Sequence, residues 1–187
     1  MKNTILIISL LVIYSCKAQI QQSQNIIPIE NYLNYPNDIP DETYLKDVNH
    51  LFDKFIGTWV GTFNNKNYEI TIQQYLYQSN IRPILIDELL LRYKVTDING
   101  NVLADTTTLP DDSVYVIEGR YFHENEAIYQ LSYNGYECHH TGDFIIAVVN
   151  NNTQLNVGFV PPLELDCPFE FNQSPQLFPS SFTLTRQ

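Results

Sequence analysis

The densest set of ligand-type side chains in the sequence is Glu137-Cys138-His139-His140-Thr141-Gly142-Asp143. Thiolate, imidazole and carboxylate groups are the donors that transition metals take. The spacing opposes that chemistry. Neighbouring residues of a strand point to opposite faces, so His139 and His140 cannot converge. No His-x-His or His-x-x-x-His pair exists. The segment reads as a turn flanked by solvated histidines, and no metal site is assigned. A second set is split between two apolar stretches. Asp87, Glu88 and Arg92 interrupt the run at 84–95, and Glu118 and Arg120 alternate with Tyr115, Ile117 and Tyr121. Inside a barrel these groups would clamp and orient a ligand. On the solvent face of ordinary strands, the preferred reading, they would only be hydrated. A glycosidase would need two acids facing each other across a cleft. An enzyme of another kind would need Glu118, Arg120 or His123 to converge with perturbed titration. No Gly-x-Ser-x-Gly, phosphate loop or dinucleotide fingerprint occurs, and there are only 7 Gly to build one. No catalytic residue and no cofactor is assigned.

The elements that would hold these groups are mostly strands. The 187 residues predict one domain. Tyr (13 copies) and Phe (10 copies) suit half-buried pleated surfaces. Residues 19–40 are rich in Gln, Asn and Ile, and Pro28, Pro36 and Pro40 break any helix there, so this stretch reads as a spacer or a loosely docked arm. Leu45, Val48, Leu51, Phe52 and Phe55 lie three or four apart, which predicts a short helix over 41–54. From Thr58 onward the period is two. Strands are expected at 58–63, 68–73, 84–97, 102–106, 113–122, 127–133, 143–149, 154–160 and 181–186. Asn64-Asn65, Asn99-Gly100 and Asn150-Asn151-Asn152 are turn signals between them. Residues 161–180 hold five prolines and read as a long loop. About nine strands joined by tight turns must be antiparallel neighbours. The fold class is therefore all-β, mainly antiparallel, with one short N-terminal helix over a single domain at 41–187. Closing the meander into an up-and-down barrel of about 8–9 strands removes its edges; a two-sheet sandwich is the alternative.

The N-terminus is an address. Lys2 precedes an apolar run at 5–14, too short for a bilayer core that takes roughly 20 residues. A basic start and short apolar run describe an export signal over residues 1–18. Ile13-Tyr14-Ser15-Cys16 resembles a bacterial lipobox, with cleavage before Cys16 and lipid on its sulfur, although Tyr14 departs from the usual small residue. Cys16-Lys17-Ala18 offers ordinary cleavage before Gln19 instead. The expectation is a membrane-anchored envelope protein, with a soluble periplasmic or secreted form as the alternative. Cys138 and Cys167 are then candidates for a disulfide, which an oxidising compartment permits. The net charge of −11 repels phosphate backbones and anionic membranes, so nucleic acid is excluded as a partner and membrane contact is expected only through the anchor.

Phe55-Ile56-Gly57-Thr58-Trp59, followed by an alternating strand, resembles the opening of lipocalin-like (calycin) barrels. The resemblance implies a Trp on the barrel floor with a basic residue from a late strand packed over it. The matching positions are Gly57, Trp59 and Arg186, and Phe182, Leu184 and Arg186 share one face of the last strand. The signal and first strand also look like those of small exported bacterial proteins of unknown function. By analogy, the resemblance implies a module that holds a small apolar or amphipathic ligand inside the barrel, with the helix capping the Trp59 end. A barrel filled by its own side chains would instead be a non-enzymatic structural or interaction lipoprotein. Oligomeric state does not follow from the sequence.

Overall fold

A computed structural model describes residues 25–123, 126–134, 141–161 and 177–187. Among the described residues eleven strands appear in chain order: β1 (Asn25–Pro28), β2 (Thr43–Lys46), β3 (Gly57–Phe63), β4 (Lys66–Gln78), β5 (Leu85–Asp97), β6 (Val102–Asp105), β7 (Ile117–Phe122), β8 (Ile128–Asn134), β9 (Thr141–Val149), β10 (Gln154–Val160) and β11 (Ser181–Arg186). A 3-10 turn, Ile29–Asn31, follows β1. Eight strands, β3, β4, β5, β7, β8, β9, β10 and β11, close in that order into an antiparallel barrel, because β11 returns to β3 and β7 pairs with β5. The turns obey local chemistry. Asn64 and Asn65 both take positive φ between β3 and β4, as a two-residue hairpin of this twist requires. Asp97 accepts the Asn99 and Asn101 N–H groups at 2.8 Å each, shaping the turn at Gly100 (φ +87°).

The barrel consists of two broad halves. β3–β4–β5 are paired along long stretches, and so are β7 to β11. Each junction is narrow. β3 and β11 share two partner pairs, Val60↔Thr185 and Trp59↔Arg186. β5 and β7 also share two, Leu90↔Glu118 and Leu91↔Ile117. β6 is not part of the barrel wall; it pairs with β5 beyond β7. The strand expected from residue 113 starts at Ile117, because hydrogen bonds Ser113 N→Pro110 O and Val116 N→Ser113 O hold the preceding residues in turns.

The helix expected over 41–54 is replaced by β2 and a run of turns. Thr43 and Leu45 are buried while Tyr44 and Lys46 are half-buried, a period of two. β2 runs parallel to β5 through Tyr44↔Leu85 and Leu45↔Ile86. Glu42 (φ 61°) and His50 (φ 55°) take left-handed backbone angles that no continuous helix admits. Asp47 organises the turns: its carboxylate accepts the N–H groups of Leu51 (2.8 Å) and Phe52 (2.9 Å). The apolar spacing was real, but Phe52 and Phe55 serve it as turn residues packed under the barrel. The arm ahead of β2 is docked from Asn25 onward. β1 is parallel to β2, and Ile27 and Ile29 are buried on the outside of the wall.

Candidate functional site

The inward residues fill the barrel. Alternate positions of the strands, from Trp59 through Tyr68, Leu91, Tyr93, Tyr133 and Phe144 to Phe182 and Leu184, form one buried cluster. At one end Phe52, Phe122 and Tyr129 pack with ring centroids 4.8–5.4 Å apart. At the other, Phe178 enters from outside the strands. Its ring meets Phe144 at 4.8 Å, Tyr93 at 4.9 Å and Tyr68 and Tyr133 at 6.2 Å. Edge-on ring pairs at such distances are favourable packing. Two polar links accompany the rings: the Tyr93 and Tyr133 hydroxyls lie 2.8 Å apart, and Tyr68 Oη donates to the Leu177 carbonyl at 3.1 Å.

Trp59 and Arg186 are cross-strand partners at the β3–β11 junction. The indole is buried and donates to the Phe55 carbonyl at 2.8 Å. The Arg186 Cζ atom lies 4.2 Å from the Trp59 ring centre. Its guanidinium donates to the carbonyls of Lys54 (2.5 Å), Ile56 (2.8 Å) and Asn152 (2.9 Å). Gly57 makes room for it: φ is +133°, and a Cβ there would stand 3.1 Å from Arg186 Nη1. These residues form a structural clamp. Each guanidinium nitrogen donates to a backbone carbonyl, which fixes the group in place.

The charged residues named from the sequence divide. Asp87 faces inward at the barrel end, where it accepts from Tyr44 Oη (2.7 Å) and the Asp47 N–H (2.9 Å). Arg92 pairs with Asp111 and donates to the Leu109 carbonyl at 3.4 Å. His123 exchanges a hydrogen bond with Gln130 at 3.2 Å. Glu88, Glu118 and Arg120 come together on the outer wall over the β5–β7 junction. Cys16, Cys138, Cys167 and the residues 137–140 lie outside the described residues. Among the described residues, no group of three or more His, Cys, Asp and Glu could hold a metal ion.

A cleft of about 260 Å³ opens between the arm and β5–β7, lined by the apolar Ile29, Leu33, Leu45 and Ile86 and by Glu88, Gly119 and Arg120. It adjoins a hollow of about 480 Å³ that shares Tyr32, Leu33, Leu45 and Ile86. Gly119 lets β7 approach β5 and the buried Tyr129 closely, because a Cβ would stand 2.4 Å from Tyr129 Oη and 2.8 Å from Leu89 N. Burial, then the neighbouring Glu118, push the Glu88 carboxyl up to about 8, against the pull of Arg120. Burial also raises Glu118. Arg120 contacts Ser132 Oγ at 3.5 Å. No ion pair joins it to either carboxylate among the described residues. The sequence named the three charged residues and offered an arm at 19–40, but not the parallel pairing that seats that arm beside them, because pairing between distant segments leaves no local signal.

The wall and its two junctions define a closed, eight-stranded antiparallel β-barrel, an architecture that fits a lipocalin-like barrel. The chain belongs to DUF6705, a family of unknown function whose model matches residues 1–157. That span includes Gly57, Trp59, Glu88 and Glu118 and ends within β10, ahead of Phe178 and Arg186. No curated protein and no solved structure matches the chain.

Proposed function

We propose that this protein is an exported cell-envelope interaction module whose barrel is closed on its own side chains and which meets its partner at the outer cleft. The packing of Phe178 carries this reading. An interior ligand would need a hollow of roughly 300 Å³ or more, and rings with centroids 4.8–6.2 Å from Phe178 occupy that space. The cleft combines apolar side chains with the charged Glu88 and Arg120, a lining suited to an amphipathic molecule or segment whose polar group donates hydrogen bonds to Glu88. Export and anchoring through Cys16 belong to the same proposal, supported by the basic start, the short apolar run and the lipobox-like residues.

Native mass spectrometry of protein extracted from its own envelope tests it. The expected species is the acylated chain, with any retained small molecule lost on Leu33→Asp, a change at a half-exposed position of the cleft wall. A retained apolar molecule that is indifferent to Leu33→Asp and displaced by filling the interior with Phe178→Trp would return the interior-ligand reading and end this one. Cys16→Ser should move the protein from the membrane fraction to the soluble one.

A further inference from the structure

β4 outruns its neighbour. It pairs with β5 along its whole length, to Gln78↔Leu85, but β3 accompanies it only as far as Ile72. From Gln73 to Gln78 the second edge of β4 has no strand partner among the described residues. An edge like this presents a row of backbone donors and acceptors, and proteins ordinarily guard it with Lys, Pro or a bulge. None of these guards is present. Residues 70–81 contain no Asp, Glu, Lys, Arg or Pro, in a chain of net charge −11. Leu76 is 49% exposed, and Tyr75 and Tyr77 beside it are half-buried.

The edge is also self-complementary. Gln74-Tyr75-Leu76-Tyr77-Gln78 reads the same in both directions about Leu76. Antiparallel pairing of two copies about a two-fold axis sets Leu76 against the partner's Leu76, Tyr75 against the partner's Tyr77 and Gln74 against the partner's Gln78. Each is a match of like with like, apolar or amide, and a two-fold interface demands this of a single surface patch. The charge distribution selects the same occupant. Two copies of an acidic chain repel wherever carboxylates meet, and this strand is a neutral window through which they can approach.

We propose that the β4 edge at Gln73–Gln78 pairs with the same edge of a second copy, joining two barrels into a continuous antiparallel sheet. The partner is this chain itself, recognised by backbone hydrogen bonding and by the Tyr-Leu-Tyr ladder. The inference is independent of the cleft, which lies on β5, β7 and the arm.

Sedimentation velocity of the full-length chain over about a hundredfold range of concentration should show a monomer–dimer equilibrium. Added salt should strengthen association by screening the acidic surfaces. Leu76→Lys, at a solvent-exposed position, sets two ammonium groups against each other on the axis and should weaken dimerisation at least tenfold without moving the melting temperature. In Leu76→Cys the two thiols should cross-link under mild oxidation, because directly opposed residues of antiparallel strands lie about 4.5–5.5 Å apart between Cα atoms, within disulfide reach. Wild type under the same oxidation should not form this link. A monomer at every concentration would overturn the proposal. So would a dimer that Leu76→Lys leaves intact and Leu76→Cys fails to cross-link.

Discussion

At the β3–β11 junction, two partner pairs are held together by a guanidinium stacked on an indole and bonded to three backbone carbonyls. At the β5–β7 junction, the same number of pairs lies under two carboxylates whose protonation burial favours, with one arginine beside them. The first junction is riveted by a group that stays charged at every accessible pH. The second carries a charge conflict that grows as protons leave. A closed barrel therefore need not be equally tight around its girth. The tight side ties the chain's ends of the wall together, and the other side borders the cleft proposed above as the partner site.

The largest expected effect comes from the ring that spans both halves. Phe178 touches Tyr68 and Tyr93 on one half and Tyr133, Phe144 and Phe182 on the other. Phe178→Ala should cost about 3–5 kcal/mol in urea unfolding, because it empties space between rings of both halves at once. If the loss is below about 1 kcal/mol, the two halves are not coupled through the interior. Arg186→Ala comes next, with an expected loss of about 2–3 kcal/mol from charge-assisted hydrogen bonds to carbonyls that remain partly solvated. Arg186→Lys should recover little, since an ammonium cannot bond three carbonyls while lying flat on the indole. Full recovery by Lys would make the rivet a simple matter of charge.

The third effect is a slope against pH. A carboxyl raised in the folded state binds its proton more tightly there than in the unfolded chain. Stability is then greatest below the ordinary carboxylate range, near 4.5, and falls as pH rises toward about 8. Thermal melting followed across that window should decline for wild type and flatten for Glu88→Gln. Arg186→Ala should lower the whole curve without changing its slope. A Glu88→Gln slope equal to wild type would place the conflict elsewhere.

The wall was legible because alternation is a local property. Trp59, Tyr68, Ile70 and Ile72 bury every second residue, and the Asn-rich turns mark where the chain reverses. Gly57, Trp59 and Arg186 could be named through the resemblance of Phe55-Ile56-Gly57-Thr58-Trp59 to the opening of lipocalin-like barrels, with which the alternation of the last strand agrees. Three features were hidden, each for a physical reason. β2 was masked because Leu45, Leu51, Phe52 and Phe55 happen to fall at helical intervals while serving a strand and a turn. The outer half of β4 has no buried face and so no alternation of apolar residues to read. Phe178 sits among prolines and serines, and nothing in its neighbours says that one ring of that stretch enters the barrel. The acids of the cleft were visible, but their meeting depends on long-range register across β5 and β7.

β5 holds β4 along one edge and β2, β7 and β6 in succession along the other. A slip of a single residue in this strand would turn Asp87, Leu89, Leu91, Tyr93 and Val95 to the opposite face and misalign four neighbours together. Few misfolded alternatives could tolerate that. The strand acts as the ruler for the molecule: once it is in place, the positions of the arm, the barrel wall and the peripheral hairpin are all measured from it.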